Sequence, residues 1–342
     1  MCANLIVDSG YQRNYRDLKG IMQIIKDTGQ QVDGIILTHI DDDHIGGITR
    51  WLRNEFIAPP INKIIFNTSG GLISRLLGDS DAREASEFPR SFEDELRFLG
   101  SGTEYSAQTA ISLYDLMLKN GLTDKLICDS LTGTLLELPF GATLSFIIPS
   151  IESAKEFVMN WNRMVNEPGV DYGASQLVPS LDSLMEKNIP ADSSPTNGGS
   201  LAFLFDYEDI HLAFLGDAHA DVCENGLRAW GYSEEKPYQA TVIKLSHHGS
   251  AANLSAGLLE LLSGNTFIMS SSEKKLSITQ KTTIAHLLKH REQVTVYTNF
   301  TEPSWFFTDE DRRKYIGTGK LTLKKAGQGT WEGSYFSIKG RI

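Results

Sequence analysis

Short apolar runs alternate along this chain with stretches of helical period. Leu5 to Asp8 reads as a strand closed by Ser9-Gly10, and Arg16 to Lys26 sets Leu18, Ile21, Met22 and Ile25 at helical spacing, with Gly29 as the stop. Val32 to Leu37 predicts the next strand, Ile48 to Phe56 opens a helix that Pro59-Pro60 ends, and Ile61 to Asn67 predicts a third strand. From Gly70 to about Gly121 the period turns helical around an acidic middle, Asp79 to Glu95, which predicts a helical insert over 70–121. Thr134 to Leu138 and Thr143 to Ile148 predict a hairpin about Pro139-Phe140-Gly141.

Beyond that hairpin, Ile151 to Val165 carries Ala154, Phe157, Val158, Trp161 and Met164 along one side, a stripe that reads as core packing. Asn166 to Gly198 is rich in Pro, Asp, Ser and Gly and predicts a long loop or lid over 166–198. Ser200 to Phe205 and Ile210 to Leu215 form a second predicted hairpin, ending in Gly216-Asp217-Ala218-His219. A helix from about Val222 to Trp230 and a strand Ala240 to Leu245 lead to Ser246-His247-His248-Gly249-Ser250. A helix near Leu254 to Leu262, strand Phe267 to Ser270, helix Thr282 to His290 and strand Gln293 to Tyr297 follow. The tail, 301–342, reads as a C-terminal extension whose hairpin joins Lys320–Lys325 to Tyr335–Lys339. This order predicts an α/β protein, with helices packed on sheets, in a single domain over 1–342.

Composition narrows the field. With 41 % hydrophobic and 22 % charged residues the chain can bury a full core, and no apolar run is long enough to span a bilayer. Met1-Cys2-Ala3-Asn4 lacks the basic and apolar regions of a signal peptide, and Cys2, Cys128 and Cys223 are odd in number and widely spaced. Both features point to the cytoplasm, without a membrane partner. A net charge of −11 disfavours non-specific binding of duplex nucleic acid, while leaving room for a small phosphorylated substrate or a short single strand.

The chemistry concentrates in Thr38-His39-Ile40-Asp41-Asp42-Asp43-His44-Ile45-Gly46-Gly47, directly after an apolar strand. Three consecutive carboxylates between two histidines repel one another unless a cation sits among them, so His39, Asp41, Asp43 and His44 are candidate metal ligands. The run is read as a loop whose two glycines let the backbone turn away. Asp217 and the His247-His248 pair stand at further strand ends, and two adjacent imidazoles beside a glycine are unusual in a core.

These motifs resemble the metallo-β-lactamase superfamily, whose loop reads His-x-His-x-Asp-His. Asp41 stands where the second histidine would be, a variant similar to the hydrolase domain of bacterial competence (DNA-uptake) channel proteins. The resemblance implies a four-layer αββα sandwich with helical inserts. It implies two divalent cations, zinc or manganese: His39 and Asp41 on the first, Asp43 and His44 on the second, and Asp217 bridging. Either His247 or His248 would complete the second site, with His247 favoured. The superfamily's usual third histidine is missing, since no histidine lies between His44 and His211, and Thr196 to Leu201 fills that place with an asparagine turn. The first site is therefore expected to be oxygen-rich, weak or empty, and better suited to manganese than to zinc.

Asp43 and Asp217 are the catalytic candidates implied, and Asn197, Ser250 and Lys275 are candidates for holding a substrate phosphate. The competence-type Gly-His-Pro is absent from Ser271 to Thr279, which leaves any leaving-group role to Lys275 or Ser277. The resemblance implies strands before Leu5, so either the start is truncated or part of the first sheet is dispensed with, and in the second case a partner chain or the tail hairpin is expected over that sheet edge. The function expected first is a metal-dependent phosphodiesterase or nuclease-type hydrolase acting on single-stranded nucleic acid or a nucleotide. An acyl hydrolase of lactams, lactones or thioesters comes second, and a catalytically degenerate interaction subunit third.

Overall fold

The computed structural model describes residues 3–54, 59–66, 113, 115–127, 131, 133–148, 178–270, 276–299, 302–325, 327–328 and 334–335. They belong to two compact units, one comprising Met1–Gly141, Ile148–Glu167 and Ser194–Leu201, the other Ala142–Ile147, Pro168–Ser193 and Ala202–Ile342. Each is an α/β assembly. Among the described residues, no helix is long and apolar enough to cross a membrane.

The first unit runs β1 (Leu5–Val7), α1 (Tyr15–Asp27), β2 (Gly34–Leu37), α2 (Asp42–Asn54), β3 (Ile64–Phe66) and β4 (Leu126–Ile127). Its four strands pair in parallel in the order β1-β2-β3-β4. All four residues of β2 are buried, as expected for a strand flanked on both edges in a parallel sheet. The helical spacing seen in the sequence puts Leu18, Met22 and Ile25 of α1 into the core with Ile45, Ile48, Trp51 and Leu52 of α2. Each such side chain contributes about 1.5–3 kcal/mol by leaving water. α1 stops where anticipated: Gly29 takes φ +67°, and Gln30 N–H closes back on Ile25 C=O at 3.0 Å.

α2 begins at Asp42, six residues before the expected start. Asp42 and Asp43 occupy its first turn, where carboxylates interact favourably with the exposed N–H groups of a helix start. The glycines do not turn the chain away either, because both lie inside α2. A Cβ at Gly47 would stand 2.1 Å from Ser9 O, and one at Gly46 would stand 2.6 Å from Gln12 N. They let the helix lie directly on the chain that leaves β1.

The second unit contains β5 (Thr143–Ile148), α3 (Leu181–Met185), β6 (Ala202–Tyr207), β7 (Ile210–Phe214), α4 (Ala220–Ala229), β8 (Val242–Lys244), α5 (Ala256–Leu261), β9 (Thr266–Met269), α6 (Ile278–His290), β10 (Val294–Thr298) and β11 (Leu321–Lys325). Its large sheet follows the order β11-β10-β9-β8-β7-β6-β5, and Leu135–Glu137 stands beside β5 as the eighth strand. β6 and β7 form the predicted antiparallel hairpin, and every pairing from β7 to β11 is parallel. Phe203 stacks on Phe214 at 4.9 Å between ring centres, and Phe146 joins them at 5.7 Å. A Cβ at Gly226 would fall 2.0 Å from Ile147 O, so α4 rests its backbone on β5.

The tail departs from the expected hairpin. Leu321–Lys325 pairs in parallel with β10, whereas Gly327–Gln328 pairs with Ser334–Tyr335. The alternation of apolar and charged residues fits either partner, and burial of Leu321 against the larger sheet decides it. From Val178 the segment expected as a lid is not bare loop, since Leu181 and Leu184 are buried. Leu181 N–H donates to Asp311, whose carboxylate pairs with Lys281 at 2.8 Å; Lys281 and Asp311 are both buried. The Ile151–Val165 stripe, residues 70–112 of the helical insert, residues 166–177 and Lys275 lie outside the described residues.

Candidate functional site

In the first unit, β2 delivers Thr38 and His39 at its C-terminal end, and α2 presents Asp43 and His44 one turn later. The junction is laced to the end of β1. Ser9 N–H and Ser9 Oγ both donate to His44 C=O at 2.8 Å, Ile48 N–H donates to Ser9 Oγ at 3.0 Å, and Gly47 N–H donates to Gly10 C=O at 2.7 Å. Asp8 sits in the left-handed region, φ 58°, a strained setting for an aspartate that points to a positioned carboxylate. That carboxylate accepts from Thr38 N–H at 2.8 Å, from Thr38 Oγ1 at 3.0 Å and from His44 Nδ1 at 2.8 Å.

The Asp8–His44 contact fixes a tautomer. With Nδ1–H committed to Asp8, the His44 lone pair is on Nε2, which stands 3.8 Å from Asp43 Oδ2. His39 Nε2 lies 3.6 Å from Asp41 Oδ2, and its Nδ1 meets Thr38 Oγ1 at 3.2 Å and Ser200 Oγ at 3.4 Å. The two rings are 4.0 Å apart, and both histidines are buried. A buried imidazole whose far nitrogen is held by a carboxylate or hydroxyl is the arrangement that orients metal-ligating histidines.

The three aspartates separate by environment. Asp41 faces His39 and Asp43 faces His44, whereas Asp42 accepts from Gln12 Nε2 at 3.2 Å and points elsewhere. Burial works against the charge on Asp41, but the hydrogen bond and charge of His39 outweigh it and hold its pKa below the ordinary value. Asp8 behaves alike, with His44 and Thr38 N–H overcoming burial. For Asp42 burial prevails and the pKa rises. Asn197 is buried, with its carbonyl taken by Ser200 N–H; the residue beside His39 is Ser200, which the sequence did not single out.

In the second unit, Asp217 follows β7 after Gly216, which takes φ 52°, and its side chain is buried. β8 leads into a turn with three successive left-handed residues: His247 (φ 44°), His248 (φ 56°) and Gly249 (φ 78°). Each non-glycine residue in that region costs on the order of 1–2 kcal/mol. The turn is strapped from several sides. Ser246 Oγ donates to Ala218 C=O at 2.7 Å, His247 N–H to Gly216 C=O at 3.0 Å and Thr283 Oγ1 to Gly249 C=O at 2.6 Å. A Cβ at Gly249 would meet Met269 at 2.8 Å, so no larger residue fits there.

His247 and His248 both direct Nε2 at Asp217 Oδ2, at 3.9 and 4.0 Å. Asp192 and Asn253, which sequence reasoning missed, complete the cluster. Asn253 Nδ2 donates to Asp192 Oδ2 at 2.9 Å and lies 3.2 Å from Asp217 C=O, while Asp192 Oδ2 is 3.4 Å from His247 Nδ1. Burial opposes protonation of His247, but Asp192 and Asp217 prevail and raise its pKa. His219 stands 4.0 Å from Asp192. Ser250 Oγ accepts from Ala252 N–H at 3.3 Å as a turn cap.

The histidines and aspartates gathered at strand ends have the donor chemistry of a candidate divalent-cation site. The family model of the metallo-beta-lactamase superfamily matches residues 3–101, a stretch that takes in β1, α1, β2, the His39–His44 run and β3. No curated protein matches the chain. Among solved structures it is similar to a CmlA beta-hydroxylase mutant, with 10 % identity and a TM-score of 0.32 over 87 % of this chain and 43 % of that one. The chain thus spans less than half the length of that protein.

Proposed function

We propose that this protein is a metal-dependent hydrolase of the metallo-β-lactamase superfamily, acting on a phosphoester. The observation that carries the reading is the Asp8–His44 pair, a buried imidazole tautomer fixed at 2.8 Å beside the carboxylate of Asp43. The resemblance assigns His39, Asp41, Asp43 and His44 to one donor set and Asp217 with the histidine pair to another, and the proposal keeps those assignments. Divalent cations bound there would supply an activated water and a polarised ester. The ligands would be held in place from behind, by Asp8 and Thr38 in the first set and by Asn253 and the Ser270 carbonyl in the second.

Asp41 in place of an imidazole makes the first set rich in oxygen, which favours manganese over zinc. Asp43 and Asp217 are the carboxylates proposed to act during turnover. The acidic chain favours a nucleotide or a short single strand over long duplexes. The competence-type likeness rests on the motif alone and is carried only as the reason for naming nucleic acid.

Elemental analysis of protein purified without chelators, beside an Asp217→Ala variant, tests the reading. Two equivalents of manganese or zinc that fall on mutation, with Mn²⁺-stimulated cleavage of a phosphodiester, are expected. Turnover of a thioester or lactam in place of the phosphodiester would move the activity to acyl transfer. Protein that takes up no metal even with added Mn²⁺ would leave only an interaction subunit.

A further inference from the structure

Resting on the metal-binding reading above, we propose that His247 and His248 are both metal ligands, one for each cation, with Asp217 between them. Consecutive residues ordinarily send their side chains in different directions. Here the successive left-handed backbone angles, φ 44° and φ 56°, aim both Nε2 atoms at the same carboxylate oxygen, 3.9 and 4.0 Å away. The ring planes stand 60° apart with centres separated by 5.8 Å, so the two imidazoles do not stack. Donors around one tetrahedral ion stand roughly 3.3 Å apart, a small contraction from the distances seen.

The far nitrogens support the same assignment. His248 Nδ1 lies 2.8 Å from Ser270 C=O, and a carbonyl only accepts, so Nδ1 carries the hydrogen and the lone pair is on Nε2. His247 Nδ1 faces two acceptors, Asn253 Oδ1 at 3.3 Å and Asp192 Oδ2 at 3.4 Å, which selects the same tautomer. Each ring therefore has the backing that metal-ligating histidines carry. A turn built only to place one ligand would need one strained residue. This turn holds two, and a hydroxyl from α6, Thr283 Oγ1, straps the carbonyl of the next residue at 2.6 Å. The second imidazole also supplies what the sequence lacks, since no histidine lies between His44 and His211 to serve as the usual third nitrogen ligand.

The test uses the full chain and the metal alone. His247→Asn and His248→Asn keep a residue that tolerates left-handed angles, so loss of metal is separable from loss of fold. Metal content and Mn²⁺ affinity by chelator competition are measured on the wild type and both variants. The expected result is that each variant loses at least one equivalent, or binds it at least tenfold more weakly. In parallel, the histidine ring ¹⁵N resonances of the wild type are followed as Zn²⁺ is added, and both Nε2 signals are expected to move. A variant that keeps wild-type content and affinity, or a titration in which only one of the two Nε2 signals moves, overturns the proposal while leaving the hydrolase reading intact. A wild type that binds no metal overturns that reading, and this proposal with it.

Discussion

The first unit and the second present their histidines by opposite means. His39 and His44 stand on ordinary backbone, at a strand end and in the first turn of α2, and side chains do the orienting: Asp8 and Thr38 hold the rings from behind. His247 and His248 are oriented by the backbone itself, through a left-handed turn that neighbouring elements strap shut. The first arrangement relies on long-range hydrogen bonds and close helix packing. The second stores strain, which disappears when the residues change. Substitution should therefore act differently in the two places.

The largest effect is expected from Gly47→Ala. Its Cβ would fall 2.1 Å from a backbone oxygen, so α2 must shift away from Ser9; a loss of about 3 kcal/mol should appear as a lower urea midpoint. Next comes Asp8→Asn, which replaces a carboxylate partner of His44 with an amide and should weaken metal binding by about 10–100-fold while the fold persists, as read by chelator competition. A smaller contrast comes from glycine at matched positions. His248→Gly relieves roughly 1 kcal/mol of strain and loses one hydrogen bond of about the same worth, so the metal-free melting temperature should hardly change. His44→Gly relieves no strain, puts glycine inside a helix and should lower that temperature by several degrees. Equal losses at the two sites would erase the distinction drawn here.

The smallest effect concerns acid. Burial pushes the Asp311 carboxyl up, but Lys281 and the N–H groups of Leu181 and Thr308 hold it below its usual value. A carboxylate with a lowered folded pKa contributes stability that is complete above its unfolded value, about 3.9, and is lost as pH falls through the folded one. Asp311→Asn leaves the buried Lys281 without its carboxylate and so lowers the whole melting-temperature profile; the change that reports on acid is in its acid limb, which should flatten. An unchanged limb would show that the pair does not contribute to acid sensitivity.

Much of this was legible in the sequence, because strand ends and helical periods are local signals. The strands before His39, Asp217 and His247 were placed within a few residues, and α1 was found with its glycine stop. α2 was mistimed because Asp42 and Asp43 serve both as helix-start residues and as candidate ligands, and the ligand reading hid the helix. Asp8, Asp192, Ser200 and Asn253 were missed for a different reason. Asp8 and Ser200 meet His44 and His39 across 36 and 161 residues and Asp192 meets the distant His247, contacts no local pattern announces. Asn253, by contrast, lies six residues after His247 and was hidden by the turn between them. An aspartate between an apolar strand and Ser9-Gly10 was the one available hint. The left-handed pair of histidines had none, since histidine seldom takes that conformation unless its surroundings impose it.

The strand order of the second unit has a consequence for how the chain is made. Its large sheet runs from β11, residues 321–325, past β5, residues 143–148, to Leu135–Glu137, so the pieces at its two ends leave the ribosome far apart in time. A nascent chain that has delivered β5 through β10 still shows the open backbone of β10 as a template for strangers until Leu321–Lys325 arrives. Synthesis speed over that interval, and the chaperones that meet it, then govern how much of the protein escapes aggregation. The turn bearing His247 and His248, with its straps from α6, emerges before that edge is closed.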